Sequence, residues 1–208
     1  MEPKSHWDKV YRTKRPTEVS WYRPHLDVSL QLIEEAASNH AAHIIDVGGG
    51  ESTLVDDLLA RGYRNIDVLD ISSTAIDVAK ERLGVDAKKA GWLHGDVTTL
   101  SFARHHYDVW HDRAVFHFLT KAKDRAAYVH QVAHAVKPGG HVIVATFGPE
   151  GPVKCSGLDV VRYDSGRLHG EFGSGFQLIK HVTELHQTPA GSVQQFIYCY
   201  CNVATGLY

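Results

Sequence analysis

The stretch Ile44-Ile45-Asp46-Val47-Gly48-Gly49-Gly50-Glu51-Ser52 decides the fold. An apolar run that ends in glycines is typical of a buried strand followed by a tight turn. Ser52 and the apolar positions after it predict a helix that ends at Gly62. Glycines at 48 and 50 let the backbone approach a ligand, and the following helix would present free N–H groups to it. The alternative is that the turn is only a tight connection.

Short strands and helices alternate outward from this stretch. Apolar runs predict strands at 43–47, 66–71, 92–94, 107–111 and 141–147. Helical spacing predicts helices at 26–37, 52–62, 73–83 and 124–136, the last ended by Lys137-Pro138-Gly139-Gly140. This alternation predicts a parallel sheet covered by helices on both faces.

The last third of the chain has a different pattern. Two long β-type runs at 176–188 and 193–204 are separated by a linker too short for a crossover helix. They must therefore pair as an antiparallel hairpin. The predicted fold is α/β: a Rossmann-like, seven-stranded, mostly parallel sheet with a C-terminal antiparallel hairpin, in a single domain over residues 1–208.

Composition excludes several classes of protein. The chain has 208 residues, 22 basic and 24 acidic side chains and 43% apolar residues, which fits one domain with a full core. A net charge of −2 without a basic block argues against a nucleic-acid partner. The chain has neither an apolar run of the ~18 residues that span a bilayer nor a signal peptide at its start, so no membrane partner is expected. Three sparse cysteines fit a reducing compartment, and we expect a cytoplasmic protein.

Acidic residues follow two further predicted strands. Asp70 and Ile71 end the second strand about twenty residues after the glycine turn, where a carboxylate can accept from both ribose hydroxyls of a nucleotide. Asp96 and Val97 follow the third strand, where a carboxylate could accept from an adenine amino group. A helix-capping Asp70 and a surface turn at Asp96 are the alternatives. Together with the glycine turn, these positions point to a nucleoside ligand at the carboxyl edge of the sheet.

Two other nucleotide motifs fit poorly. The dinucleotide pattern G-x-G-x-x-G, counted from Gly48, places Thr53 where the third glycine belongs. No Gly-Lys-Ser/Thr follows the glycines, so a P-loop is excluded.

Four segments carry a resemblance to a known family, namely Asp46-Val47-Gly48-Gly49-Gly50, Asp70, Gly95-Asp96-Val97 and Lys137-Pro138-Gly139-Gly140. With the terminal hairpin, they resemble the class I S-adenosylmethionine-dependent methyltransferases, from about residue 6 to the end. The resemblance implies S-adenosyl-L-methionine as the cofactor, bound by Asp46, Gly48, Gly50, Asp70, Ile71, Asp96 and Val97. Ser52 stands where the family often has a third glycine, but serine is itself a good helix N-cap.

The N-terminal segment carries a narrower resemblance. His6-Trp7-Asp8-Lys9-Val10-Tyr11 and Ser20-Trp21-Tyr22 are similar to the group that includes elongation-factor and citrate-synthase lysine methyltransferases. This implies that residues 1–24 cover the cofactor and that Trp7, Tyr11 and Trp21 border its methyl end. The alternative is that these aromatic residues only anchor the segment to the core.

The end of the fourth strand supplies the remaining candidates. By the resemblance, Arg113 takes the place of a basic residue near the cofactor, where it could pair with the cofactor carboxylate. Asp112, His111 and His117 are the nearest groups that could take a proton from an acceptor, with a structural role as the alternative. Ala114 replaces a family glycine, which leaves the acceptor pocket open, and the turn-rich segment 148–157 is expected to form its rim.

The predicted function is methyl transfer from S-adenosylmethionine to a protein lysine or a small molecule. The 15 histidines show no metal-binding spacing, so no metal is expected. One alternative is a catalytically silent module that binds the cofactor. The other is an NAD-linked oxidoreductase, which the glycine spacing and the terminal hairpin disfavour. The oligomeric state is left open.

Overall fold

Strands and helices alternate along residues 3–205, the part of the chain that the computed structural model describes. The helices of this part are α1 (Pro3–Thr13), α2 (Asp27–Ala36), α3 (Leu54–Ala60), α4 (Ser73–Leu83), α5 (Ala122–Ala135) and α6 (Ser165–Phe172). Its strands are β1 (His43–Val47), β2 (Asn65–Asp70), β3 (Gly91–His94), β4 (Tyr107–Arg113), β5 (Val136–Phe147), β6 (Lys154–Cys155), β7 (Leu158–Asp159), β8 (Phe176–Gln187) and β9 (Val193–Val203). Short 3-10 helices lie at Pro16–Glu18, Gly84–Lys89 and Phe116–Phe118.

The main sheet has seven strands within residues 3–205, in the order β3-β2-β1-β4-β5-β9-β8. Strands β1 to β5 run parallel, whereas β9 is antiparallel to β5 and β8 is antiparallel to β9. Val47 at the end of β1 pairs with Leu69 of β2 and with Asp112 of β4. The predicted fold class and its C-terminal hairpin are confirmed, and the carboxyl ends of three strands meet at one edge.

Strand β1 shows how the two halves of the core arise. Ile44 and Ile45 are both fully buried, yet they belong to different apolar clusters because successive side chains of a strand point to opposite faces. Ile44 lies in a cluster with Leu30 of α2 and Leu58 of α3. Ile45 lies in a cluster with Trp110 and with Tyr128 of α5. Helices therefore cover both faces of the sheet, which explains the continuous apolar run in the sequence.

The boundary between α5 and β5 differs from the prediction. Residue 136 was expected to close the helix, but Val136 has extended backbone angles (φ −83°, ψ 140°) and pairs with Tyr107 as the first residue of β5. The segment 137–140 was expected to be a turn, and it lies within the strand instead. The pairing of β5 with β4 is irregular at this point: the register shifts between Tyr107 and Val109, and Gly139 has φ +75°. Glycine therefore marks a bulge here.

Some short elements were not predicted. Helix α6 begins after Asp164, whose side chain accepts a hydrogen bond from the Arg167 N–H, and it buries Leu168 and Phe172. Two glycines within eight residues obscure its helical pattern. The two-residue strands β6 and β7 form a small hairpin. In the described part of the chain, no helix is both long and apolar enough to cross a bilayer.

Candidate functional site

A cavity of about 390 Å³ opens at the carboxyl edge of β1, β2 and β4. Its walls include nine of the eleven residues predicted to bind the cofactor: Trp7, Tyr11, Trp21, Gly48, Asp70, Ile71, Asp96, Val97 and Arg113. The structure thus brings together residues that are more than one hundred positions apart in the sequence. The two others, Asp46 and Gly50, do not line this cavity.

At Gly48 and Gly50 of the glycine turn, the local structure explains why the residue is glycine. Gly48 has φ +71°, in the left-handed region that favours glycine, and a Cβ there would collide with Val115. A Cβ at Gly50 would meet the Asp70 carboxylate and lie 2.7 Å from the Ala75 Cβ. Gly50 therefore lets the turn pack against Asp70, and its predicted contact with the cofactor stays a prediction.

Asp70 is a buried carboxylate on the cavity wall. Only 5% of its surface is exposed, and its Oδ1 accepts a hydrogen bond from the Ser72 N–H at 2.8 Å. Burial raises the pKa of Asp70 to about 7, partly offset by backbone hydrogen bonds from Ser72, Gly50 and Ile71. A carboxylate held in this way can accept hydrogen bonds from two neighbouring hydroxyl groups of a ligand.

Asp96 lies at the more open end of the cavity. Its Oδ1 accepts hydrogen bonds from the Thr98 N–H (2.9 Å) and the Thr98 hydroxyl (2.7 Å), as in a turn that an aspartate stabilises. Both Asp96 and the buried Val97 line the cavity. The structure therefore contains the surface turn that was the alternative for Asp96. It also places Asp96 on the cavity wall, where it could contact a ligand.

The N-terminal helix covers the cavity with aromatic side chains. Trp7 and Tyr11 lie one turn apart with ring centroids separated by 6.0 Å, and Trp7 packs against Trp21 (5.7 Å) and Phe118 (5.1 Å) in edge-to-face geometry. We call Trp7, Tyr11, Trp21 and Phe118 the aromatic cluster. Phe118 was missed because its own 3-10 helix gives no periodic signal.

Asp8 fixes that helix to the sheet edge. Its Oδ1 accepts a 2.6 Å hydrogen bond from the hydroxyl of Ser72, the N-cap residue of α4, and Lys4 pairs with its Oδ2. The Ser72 hydrogen bond is the main reason that the pKa of Asp8 is lowered. Since Ser72 also donates its N–H to Asp70, Asp8 joins the helix to the cavity wall. An aspartate within an aromatic segment was the signal that could have revealed this role.

Arg113 lies at the end of β4 with its guanidinium already paired. Nη2 and Nε donate to Glu184 Oε2 at 3.2 and 3.4 Å, and Nε also donates to the Tyr198 hydroxyl at 3.1 Å. The guanidinium lies 4.1 Å from the centre of the Phe196 ring. Arg113 lines the cavity, but Glu184 already neutralises its charge, so the predicted contact with a cofactor carboxylate stays a prediction.

His111 belongs to a buried hydrogen-bond network. Its Nδ1 donates to Asp46 Oδ1 at 2.8 Å, and the Ser29 hydroxyl lies 2.9 Å from its Nε2. Ser29 in turn lies 3.2 Å from the Tyr198 hydroxyl. Because both ring nitrogens of His111 have partners, the geometry favours the structural alternative to proton transfer.

Asp112 and His117 are also buried away from the cavity wall. Asp112 accepts hydrogen bonds from the Val115 N–H, the Phe116 N–H and the Tyr128 hydroxyl, and burial raises its pKa to about 6. The Phe147 N–H donates to His117 Nδ1 at 3.2 Å, and burial lowers the pKa of His117 to about 3. These contacts favour a structural role for both, and proton transfer by either stays a prediction.

Ala114 stands where the resembling family has a glycine, and its backbone is in the left-handed region that favours glycine. Its φ is +78°, which is rare for a residue with a Cβ and costs about 1 kcal/mol. The alanine lines the cavity between Arg113 and Val115. The departure from the family pattern is therefore a local strain at the cavity wall.

A second pocket of about 50 Å³ adjoins the main cavity. Tyr11, Trp21, Gly48 and Arg113 line both, and Asp46, His111 and Glu51 line only the small one. Glu51 is 6% exposed, and burial raises its pKa to about 7. Sequence reasoning missed Glu51, although a glutamate directly after a glycine turn was a visible signal.

The small hairpin closes another side of the main cavity. Cys155, Leu158 and Asp159 line the wall, and Ser156 and Gly157 form the turn with positive φ. Burial raises the pKa of the Cys155 thiol to about 11, which disfavours the thiolate. Segment 148–157, predicted as the acceptor rim, thus contributes Cys155 to the wall. In the part of the chain that the structure describes, no three His, Cys, Asp or Glu side chains are grouped as metal ligands would be.

Comparison with known families identifies the central part of the chain. Residues 44–140 match the family described as "Methyltransferase domain". Over this segment, which is just under half of the chain, the sequence is similar to that family. The resemblance to class I S-adenosylmethionine-dependent methyltransferases, stated above from the strand ends, is thereby confirmed.

A curated protein similar to part of the chain is the mouse "eEF1A lysine and N-terminal methyltransferase". It is 29% identical over 97 residues, which cover 47% of this chain and 14% of that protein. The chain spans less than half the length of the curated relatives that it matches.

Solved structures extend the likeness in fold beyond residues 44–140. A structure from work on the conversion of a disulfide bond into a thioacetal group in echinomycin biosynthesis has a TM-score of 0.76 at 18% identity, covering 99% of this chain and 94% of that one. The N-methyltransferase NodS from Bradyrhizobium japonicum, bound to S-adenosylhomocysteine, has a TM-score of 0.63 at 16% identity and covers 85% of this chain and 86% of its own. At these identities the likeness concerns the fold alone.

Proposed function

We propose that the chain is an S-adenosylmethionine-dependent methyltransferase that acts on a small-molecule or protein acceptor, and that residues 1–208 form one domain. The observation that carries the proposal is the cavity at the carboxyl edge, where nine separately predicted residues meet. A single domain is supported by the main sheet, which takes its strands from residues 43 to 203.

The residues present fit the proposed cofactor. The Asp70 carboxylate, close to the glycine turn and 5% exposed, would accept hydrogen bonds from the ribose hydroxyls. Asp96 and Val97 would contact the adenine, since both line the next part of the wall. Gly48 would let the backbone approach the amino-acid end of the cofactor, and the aromatic cluster would border the methyl group of the cofactor.

When bound, the cofactor supplies an electrophilic methyl group on a sulfonium. The chain contributes position: helix α1, held by Asp8, covers the cavity and excludes water. Aromatic faces beside the sulfonium stabilise a cation by about 0.5–2 kcal/mol. Holding donor and acceptor in line lowers the barrier through effective molarity, without a covalent intermediate.

The acceptor would enter between the aromatic cluster and the small hairpin. Leu119 and Leu158 give this part of the wall an apolar character, and Asp159 adds one carboxylate. A lysine side chain or a small amine or thiol would fit this chemistry. We also propose a cytoplasmic location and no nucleic-acid partner, in line with the cysteine content and the net charge of −2.

Labelled S-adenosylmethionine incubated with the protein and a cell extract tests the proposal. We expect the label in either the protein or the small-molecule fraction, and none with Asp70→Ala. Calorimetric titration with S-adenosylhomocysteine and NAD runs in parallel, and only the former should bind. Binding without any transfer would indicate the silent module, and binding of NAD alone would refute the proposal.

A further inference from the structure

Glu51 is a buried carboxylate that the fold leaves without a partner. Only 6% of its surface is exposed, and neither Oε1 nor Oε2 has a hydrogen-bond partner within residues 3–205. Buried carboxylates are costly unless they are paired, so an unpaired one points to a missing ligand. The other charged groups around the small pocket have protein partners: Asp46 has His111, Arg113 has Glu184, and Arg23 has Asp27 at 3.7 Å.

The surroundings of Glu51 favour a cation. Asp46 adds a second negative charge to the pocket wall, while the two positive charges there face acidic partners: Arg113 pairs with Glu184, and Arg23 lies 3.7 Å from Asp27. Arg82, the cation that influences Glu51 most, directs its guanidinium to the backbone carbonyls of Glu51 and Ser52 and to Asp56. A ligand with a positively charged hydrogen-bond donor would therefore complete this pocket.

The position of the pocket shows which part of a ligand reaches it. It shares Tyr11, Trp21, Gly48 and Arg113 with the main cavity, whereas Asp96 and Val97, the proposed adenine wall, line the main cavity alone. Its volume of about 50 Å³ suits the end group of a molecule that mainly occupies the cavity. A second substrate would need more room.

We infer that Glu51 binds the α-ammonium group at the amino-acid end of S-adenosylmethionine. The inference rests on the proposed function and adds a residue that recognises the charged end of the cofactor. Two of the three ammonium N–H groups can each donate to one of the two free carboxylate oxygens. Glu51 would then distinguish the whole cofactor from adenosine derivatives that lack the amino-acid end.

Calorimetry on the full chain tests the inference with two ligands. S-adenosylhomocysteine carries the α-ammonium, and 5′-methylthioadenosine lacks the amino-acid end. Glu51→Gln should weaken the binding of S-adenosylhomocysteine by about 10- to 100-fold, as expected for a lost charged hydrogen bond. It should leave the affinity for 5′-methylthioadenosine unchanged. Glu81→Gln, the same change at an exposed site on α4, should alter neither.

A measurement on the unaltered chain guards against a variant that fails to fold. The deaminated analogue of S-adenosylhomocysteine, with a carbonyl in place of the ammonium, should bind wild type about 10- to 100-fold more weakly. In Glu51→Gln, replacing S-adenosylhomocysteine by its deaminated analogue should lower the affinity little. The change of residue and the change of ligand each remove the same interaction between Glu51 and the ammonium group.

The failures of the two proposals are distinguishable. If wild type binds S-adenosylhomocysteine and Glu51→Gln binds it equally well, the inference alone is refuted. Equal weakening of both ligands would also refute it, because Glu51 would then only shape the pocket. If wild type binds none of the three ligands, the proposed function fails and the inference with it.

Discussion

The two sides of the cavity use charged residues in opposite ways. On the side of β2 and the glycine turn, Glu51 is buried without a hydrogen-bond partner among residues 3–205, and Asp70 lines the main cavity while accepting a backbone hydrogen bond. On the side of β4, Arg113 and Asp112 are equally buried, but protein groups occupy their hydrogen bonds. The comparison teaches that burial alone does not identify a binding residue. A charged group without enough protein partners is the better indicator.

The largest expected effect concerns stability on the β4 side. Glu184→Ala would leave Arg113 buried without its partner and should lower the free energy of unfolding by about 3–5 kcal/mol. Urea unfolding measures it. Glu35→Ala removes the partly exposed pair with Lys180 and should cost less than about 1 kcal/mol. Similar losses in the two variants would show that the Arg113 network contributes little.

The next effect concerns affinity on the β2 side. Asp70→Ala removes the proposed ribose acceptor and should weaken the binding of S-adenosylhomocysteine by about 2–4 kcal/mol, as expected when hydrogen bonds to a charged group are lost. Calorimetry checks it, with exposed Asp77→Ala on α4 as the control. An unchanged affinity would remove Asp70 from the binding site.

A smaller effect tests the link between helix α1 and the cavity. Asp8→Asn weakens the hydrogen bond from Ser72 and should lower cofactor affinity about tenfold, or about 1.4 kcal/mol, because the aromatic cluster loses its anchor. Calorimetry is the measurement, and Asp77→Asn at an exposed position on α4 is the control. Full affinity in Asp8→Asn would mean that the helix stays in place without this contact.

An effect of similar size is a pH dependence of stability. In the folded chain without ligand, burial raises the pKa of Glu51 to about 7 from an ordinary value of 4.5. The folded state therefore holds a proton more tightly than the unfolded state, and the stabilising proton is lost as pH rises toward 7. Glu51→Gln should unfold like wild type at about pH 5 and be more stable by about 1–2 kcal/mol at about pH 8.

Thermal unfolding of both proteins at the two pH values makes this measurement. His117 on the β4 side has the opposite sign, because its lowered pKa adds stability as pH rises from about 3 to 6.5. Because both proteins contain His117, its contribution does not appear in the difference in stability between Glu51→Gln and wild type. A variant that is less stable than wild type at pH 8 would mean that Glu51 stabilises the fold.

Sequence reasoning succeeded where the chemistry is local. The strand at 43–47, the glycine turn and the terminal hairpin follow from apolar runs and turn residues that lie side by side in the chain. Asp70 and Asp96 could be chosen because parallel strands end at one edge of the sheet. The boundary at Val136 was wrong because pairing with Tyr107 overrides the helical pattern.

What the sequence by itself determined is the fold class and the place of Asp70 at the carboxyl edge of the sheet, since strand periodicity and strand order fix both. Only the tertiary structure decided how each charge is used. Glu184 reaches Arg113 across 71 positions, and Asp8 reaches Ser72 across 64. Glu51 has no such partner among residues 3–205. Hydrogen bonding depends on distances between atoms in the folded chain, and no pattern along the sequence encodes which buried charge is left for a ligand.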